Sequence, residues 1–314
     1  AGSPYGDRPS AAAPAAARES ATGRGPMHAL HARLPKNFVL EERLERYADG
    51  IEASPASYAG RWAEACFPVG EAQGAEGAHG TRTRFDEVRL DMGCGKGAFT
   101  VQAAAAERNV LFVGVDSEPI CIAYAAQRAV ESGLDNVVFA PGLGKDVCRF
   151  FSAGELSRIY LNFPTPFPRK KEATQRLPHL DQLMRYRTVL ASGGSVILKT
   201  DSYPLRGFSR TQFELAGYDL LWESDDARSE RPDDPMSWYE ERLGRQGATV
   251  FALEATPGPA PKRVEQTASL SLVDYLPPEL DQMAYVPHGM EGTVTNLRNL
   301  RKKARMRNRG ARNG

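Results

Sequence analysis

Between Tyr160 and Lys171 an apolar run ends in Asn162. It passes into three prolines (Pro164, Pro166, Pro168), two aromatics (Phe163, Phe167) and three cations (Arg169, Lys170, Lys171). Prolines fix the backbone and remove donors, aromatic faces stack on planar bases, and cations suit phosphate. These residue types in this order describe a reaction-site loop for a flat, phosphorylated substrate. A second loop lies upstream, Asp91-Met92-Gly93-Cys94-Gly95-Lys96-Gly97, where a strand turns into a helix through three glycines. Glycines there let a ligand come close to the backbone. One loop suits a base and the other a cofactor.

Gly93-x-Gly95-x-x-Ala98 satisfies the dinucleotide fingerprint, which by itself leaves several nucleotide cofactors open, NAD included. The acid in front of the glycines discriminates among them. Asp91 at a strand end opposes a pyrophosphate and suits the ammonium group and cationic character of S-adenosylmethionine. Asp116 ends the next strand about twenty residues beyond the loop, where an acid can accept both ribose hydroxyls. Capping of the following helices is the alternative role for both acids. Lys96 either meets the carboxylate of the methionine part or faces solvent.

The elements that must position these loops alternate strand, helix, strand, the rhythm of a parallel sheet covered on both faces. Strands are predicted over 88–90, 110–115, 136–140, 157–162 and 194–199, with closing strands over 218–223 and 249–255. Helices are predicted over 98–106, 120–132, 180–190 and 208–216, after a helix-like segment reaching Tyr47 and a small helix around Tyr58 to Cys66. Residues 69–81 read as a Gly/Ala-rich surface loop. Residues 1–26, rich in Ala, Gly, Pro and Ser, read as a disordered leader or a cloning remnant. Residues 27–256 then form the domain, and 257–314 a Pro-containing linker and basic C-terminal arm. Arg298 to Arg309 carries seven cations and no acid, an arm for phosphate or a solubilising tail.

A chain of 314 residues accommodates one sizeable α/β domain with appendages. Its net charge of +1 says little, because the basic end is offset elsewhere. Cys66, Cys94, Cys121 and Cys148 lie far apart without a CxxC pair. That argues against a disulfide framework or structural zinc and for a reducing, cytoplasmic setting. There is no apolar run of about eighteen residues, so no membrane span is expected. His28, His31, His179 and His288 show no metal-ligand spacing, and no metal is expected.

Five motifs occur in series: Asp91-Met-Gly-x-Gly-Lys-Gly, Phe112-Val-Gly-Val-Asp116, Arg158-Ile-Tyr-Leu-Asn-Phe-Pro-Thr-Pro-Phe-Pro-Arg-Lys, Leu198-Lys-Thr-Asp201 and Met236-Ser-Trp-Tyr-Glu240-Glu241. In this order the chain resembles the bacterial tRNA (guanine-N7)-methyltransferases over residues 27–255. The resemblance implies an α/β class I methyltransferase (Rossmann-like) fold: a doubly wound, mostly parallel seven-stranded sheet with helices on both faces. It implies S-adenosyl-L-methionine as cofactor, tRNA as partner and a guanine of the variable loop as acceptor; monomer and homodimer both stay open. By position, Asp91, Gly93, Gly95, Asp116 and Asn162 are implied to hold the cofactor. Asn162, Thr165 and Asp201 are implied to be catalytic. Lys170, Arg176, Thr200, Asp201, Ser237 and Glu240 fall where the family contacts guanine and tRNA.

The chain departs from the family pattern at several of these positions. Thr165 stands for the Asp of Pro-Asp-Pro-Trp, Phe167 for its Trp, Glu172 for a His after the lysines, and Ser237 for a Thr. Pro141-Gly142-Leu143-Gly144 replaces a segment with an Asp-Ala pair near the adenine, and Asp146 is the nearest substitute. Guanine N7 carries a free lone pair, so transfer needs in-line positioning and no strong base. Recognition is the harder part, and Asp201 and Glu240 are expected to hold the guanine edge. Phe163 and Phe167 are expected to stack on a splayed base, with one of them in the core. Arg169, Lys170, Lys171, Arg176 and the tail form an expected phosphate track. Three other readings remain. A nucleic-acid amino-methyltransferase is suggested by the loose echo of an Asn-Pro-Pro-aromatic loop. A non-catalytic tRNA-binding relative with a decayed site is suggested by Thr165 and Leu143, and a dehydrogenase comes last.

Overall fold

Apolar and β-branched runs bounded by turn residues form the strands, and these pair into one seven-stranded sheet. The computed structural model describes residues 34–66, 83–280 and 283–310, with side chains to residue 308. The expected leader at 1–26, His28, His31 and the loop at 69–81 lie outside the described residues. Residues 34–38 belong to a separate N-terminal unit and contain a turn in which the Phe38 N–H donates to the Pro35 carbonyl at 3.0 Å. The following elements lie in the unit that begins at Val39.

Two helices, α1 (Leu40–Arg46) and α2 (Trp62–Ala65), precede the sheet. Then come β1 (Glu87–Met92), α3 (Ala98–Ala106), β2 (Val110–Asp116), α4 (Pro119–Ser132), β3 (Val137–Pro141), α5 (Val147–Phe150) and β4 (Leu156–Asn162). The second half adds α6 (Leu180–Val189), β5 (Leu190–Thr200), α7 (Tyr203–Leu215), β6 (Tyr218–Ser224), α8 (Ala227–Glu230), α9 (Trp238–Arg245), β7 (Phe251–Pro257) and α10 (Glu291–Gly310). The seven strands lie in the order β3-β2-β1-β4-β5-β7-β6. All neighbours are parallel except β7, which is antiparallel to β5 and β6. This is the doubly wound class I methyltransferase sheet that the resemblance implies. Its order reverses between β1 and β4, the point at which open α/β sheets bind ligands.

Alternation along the strands serves two cores. Leu90, Met92, Val113, Ile159, Leu161 and Leu198 face one cluster with Trp62, Phe150 and Leu183 from α2, α5 and α6. Phe112, Tyr160 and Ile197 face the other, with Phe99 and Ala103 of α3 and Ile122 and Ala125 of α4. Helices therefore cover both faces. The Phe139 ring of β3 wedges between the glycine loop and β2. A Cβ on Gly97 would stand 2.6 Å from Phe139 and 3.0 Å from the Ala125 Cα, and one on Gly114 would stand 2.4 Å from Phe139.

Two expectations change. The helix expected over 208–216 begins at Tyr203, because Ser202 caps it by accepting from the Leu205 N–H at 3.3 Å and Pro204 occupies its first turn. The segment after 257, expected as a Pro-containing linker and basic C-terminal arm, packs on the domain. Leu272, Met290 and Val294 are buried against Leu205 and Phe208 of α7, and the basic segment is the helix α10.

Gly97→Ala is expected to destabilise the protein by about 2 kcal/mol or more, combining a side chain at φ +74° with overpacking. Urea unfolding measures it, and an unchanged midpoint would remove the Phe139 wedge as the reason for this glycine.

Candidate active site

Asp91, the last residue but one of β1, is 1% exposed. A carboxylate there needs donors, and it has two: Thr100 Oγ1 of α3 at 2.6 Å and Asn162 Nδ2 of β4 at 3.4 Å. Burial pushes its carboxyl up to about 7; the Thr100 and Asn162 hydrogen bonds pull it down, and neighbouring Asp116 adds to the rise. Asp116 ends β2 and accepts from the Gly95 N–H at 2.8 Å and the Glu118 N–H at 2.9 Å. Burial raises it too, against those backbone donors. The glycine loop is thus pinned to the second acid. A Cβ on Gly95 would meet nothing within 4 Å, so the space above the loop is open. At Gly93 a Cβ would approach Leu177 at 3.3 Å. Lys96 stands over the rings of Tyr124 (4.6 Å) and Trp238 (5.5 Å).

The loop after β4 carries backbone strain and is held by one buried guanidinium. Phe163 and Phe167 have φ of +50° and +45°, the only non-glycine residues with positive φ among those described. Such conformations persist only where the surroundings over-determine them, and they cluster at functional sites. The Phe163 N–H donates to the Lys199 carbonyl at 2.7 Å. Its half-buried ring packs near Ala227, Val250 and Ala252 and lies 5.7 Å from Tyr239. Arg176, 1% exposed, donates from Nε to the Pro166 carbonyl (2.9 Å) and from Nη2 to the Phe167 carbonyl (2.6 Å). It also lies 4.4 Å from the Phe208 ring centre, and burial pulls its guanidinium down to about 10.

Two further segments close around this loop. Residues 234–240 form a strap: Lys199 Nζ pairs with Asp234 at 2.9 Å, and the Gln102 side chain exchanges two hydrogen bonds with the Met236 backbone. Ser237 caps α9 by accepting from the Glu240 N–H at 3.0 Å, and the buried Glu240 carboxylate pairs with Arg228. The C-terminal segment supplies the other wall. The Leu272 N–H donates to the Pro168 carbonyl at 3.1 Å. The Tyr285 hydroxyl and His288 N–H donate to Asp201 Oδ2 at 2.8 and 3.0 Å, and the Tyr239 and His288 rings are 5.5 Å apart.

Among the sequence-derived candidates, Asp91, Gly93, Gly95, Asp116 and Asn162 come together around the glycine loop. Thr165 is exposed in the loop after Asn162, and Lys170 is exposed beyond it. Arg176 is corrected: it is a buried brace of the loop and not part of an exposed phosphate track. Thr200, Asp201, Ser237 and Glu240 are buried or committed to protein donors; Thr200 Oγ1, for example, accepts from the Ser202 N–H at 3.0 Å. Asp146 turns back to accept from the Leu143 N–H at 3.0 Å instead of replacing an acid near a ligand. Sequence reasoning missed Thr100, Gln102, Tyr285 and His288. Thr100 was legible as the only hydroxyl in the first turn of α3; the two C-terminal residues carried no periodic signal. Arg176→Gln is expected to lower the unfolding free energy by about 3 kcal/mol, because carbonyls that the prolines cannot serve lose their donor. Urea unfolding checks it: an RNA-facing arginine would leave stability unchanged.

A family model described as "Putative methyltransferase" matches residues 86–253. A tRNA (guanine-N(7)-)-methyltransferase of Geobacillus kaustophilus (strain HTA426) is 32% identical over 232 residues, covering 72% of this chain and 98% of the relative. The enzyme of the same name from Geobacillus thermodenitrificans (strain NG80-2) is 34% identical over 232 residues with the same coverage. That of Streptococcus equi subsp. zooepidemicus (strain MGCS10565) is 28% identical over 226 residues, covering 71% and 99%. With the sheet order, the glycine loop between two strand-end acids and the Asn162 loop already in place, these matches establish that the chain belongs to the tRNA (guanine-N(7)-)-methyltransferase family.

Proposed function

We propose that this chain transfers a methyl group from S-adenosylmethionine to N7 of a guanine in the variable loop of tRNA. The observation that carries the reading is the hydrogen bond from Asn162 to Asp91, which joins the first residue of the substrate loop to the acid of the cofactor loop. The residues present fit this cofactor. Asp91 offers a carboxylate to its cationic end, Asp116 suits ribose hydroxyls, and the open space at Gly95 admits a ligand close to the backbone. When bound, the cofactor supplies an electrophilic methyl on a sulfonium sulfur. Guanine N7 has no proton to lose, so the protein's task is alignment and desolvation and not general-base chemistry.

Asn162 fixes where the strand ends and the base-binding loop begins. The strained Phe163 and Phe167 backbone, braced by Arg176, makes that loop a preformed wall. Phe163, Tyr239 and His288 present aromatic faces of the kind that bind an unstacked base. Asp201 and Glu240 act on the substrate side by ordering this wall, Asp201 through Tyr285 and His288, Glu240 through Arg228. Lys170, exposed past the loop, and Thr165 within it are left to meet the nucleic acid directly.

Incubating the protein with labelled S-adenosylmethionine and unmodified tRNA, followed by nucleoside analysis and mapping, is expected to yield N7-methylguanosine in the variable loop. Methylation of an exocyclic amine, or tRNA binding with no methyl transfer, would overturn the proposal.

Asp91 also sets a pH dependence. Its carboxyl is raised from an ordinary 3.8 to about 7, so the folded chain without cofactor holds a proton that the unfolded chain has lost between those values. Stability of that form therefore declines as pH rises across this window. Binding a cation needs the ionised form. Calorimetric titration of S-adenosylmethionine is thus expected to show full affinity above about pH 8 and a loss approaching tenfold per unit below about pH 7. Asp91→Asn weakens binding and flattens this profile; a flat profile in the unmodified protein would remove Asp91 from the cofactor site.

A further inference from the structure

Helix α10 is unlike every other helix of the domain. Its first turns are rooted: Met290 and Val294 are fully buried against α7, and Arg298 donates to the Leu280 and Met283 carbonyls at 2.8 and 3.3 Å. Arg301 reaches the Pro278 carbonyl at 2.8 Å. Beyond that root, every residue from Asn299 to Asn308 except Ala304 is exposed. This stretch carries Arg301, Lys302, Lys303, Arg305 and Arg307 and no acid. Like charges stand four apart at Arg298/Lys302, Arg301/Arg305 and Lys303/Arg307, a spacing that weakens an isolated helix. This half gains almost no packing, and even its two large apolar residues, Leu300 and Met306, stand exposed beside the cations, so the fold alone does not account for its charge.

We propose that the outer half of α10 is a second RNA-binding surface, gripping the phosphate backbone of the tRNA away from the methyl-transfer site. This rests on the tRNA-methyltransferase reading above. Charge complementarity selects the occupant: five exposed cations within about two turns match a row of phosphates. The root selects its purpose. Three residues before α10 begins, His288 donates its N–H to Asp201 and packs its ring against Tyr239. At about 1.5 Å per residue, Arg307 lies about 24 Å along the axis from Glu291. The helix therefore extends the substrate wall outward, to a distance at which a folded RNA can touch both ends. The family model stops at residue 253, so this surface lies outside what it describes.

The test uses the full chain and the variant Lys302→Glu/Lys303→Glu/Arg307→Glu, with circular dichroism and the unfolding midpoint as controls for folding. Binding of unmodified tRNA is measured by anisotropy across salt concentrations without cofactor, so the result does not depend on methyl transfer. The variant is expected to bind at least tenfold more weakly at low salt. Its log–log salt slope should be shallower by about 0.9 for each phosphate the helix no longer neutralises. In methylation assays KM for tRNA rises while kcat holds, and a short stem-loop acceptor is methylated equally by both proteins. An unchanged slope and KM would overturn the proposal, as would variant-sensitive binding to phosphatidylserine vesicles with tRNA binding intact. If neither protein methylates tRNA but the slopes differ, the function proposed above fails and the α10 surface stands.

Discussion

The fold depends on a buried carboxylate. Asp91 sits near the end of β1, where the strand order reverses, and burial there makes an unsatisfied charge too costly to keep. Its two donors come from opposite directions, Thr100 from the helix after the glycine loop and Asn162 from the strand that opens the substrate loop. One acid thereby ties the helix that follows the glycine loop to the strand that opens the Pro-rich loop. For Thr100 to reach it, α3 must leave the loop at close quarters. That is why Gly97 and Gly114 leave room for the Phe139 ring. Packing on one side of β2 and hydrogen bonding at the end of β1 are two parts of one constraint.

The substrate loop solves a different problem. Prolines at 164, 166 and 168 limit the backbone's freedom but remove N–H groups, so the loop cannot satisfy its own carbonyls. Arg176 supplies those donors from a buried position, and the Leu272 N–H takes the Pro168 carbonyl. With the carbonyls fixed, two phenylalanines can be kept at positive φ, each at a cost of about 1–3 kcal/mol. Strain of this size would relax in a free loop. It survives here because Pro164 and Pro166 are buried and the loop is tied at both ends.

Much of this was legible in the chain. Apolar runs with the glycine and proline breaks located every described strand within a few residues, and the spacing of Asp91, the glycines and Asp116 anticipated that both acids would stand beside the glycine loop. Chemistry that depends on the local chain, such as a strand-end acid or a glycine turn, survives translation into structure. Burial did not translate. Arg176 looked like one more cation in a basic run, and only its position under the loop shows that its charge serves carbonyls. Asp201 looked like an acid for a ligand, yet its donors, Tyr285 and the His288 N–H, are 84 and 87 residues away in sequence. The prolines and scattered apolar residues of 257–290 have no period, so nothing local announced that they pack on α7.

The buried state of these acids bears on what Thr165 means. An acid that contacts guanine through N1–H and N2–H₂ contributes to selecting the base; it has no proton to remove from N7. Asp201 and Glu240 are each held by a protein donor at the back of an aromatic wall formed by Phe163, Tyr239 and His288. On the proposed reading, base capture falls first to stacking and shape, which a hydroxyl in place of a carboxylate at 165 leaves intact. Under the function proposed above, the effect of Thr165 falls on the binding step: it exchanges a two-point interaction with the guanine edge for a weaker one. The alignment that the proposed methyl transfer requires would still rest on Asn162, Asp91 and the loop that Arg176 braces.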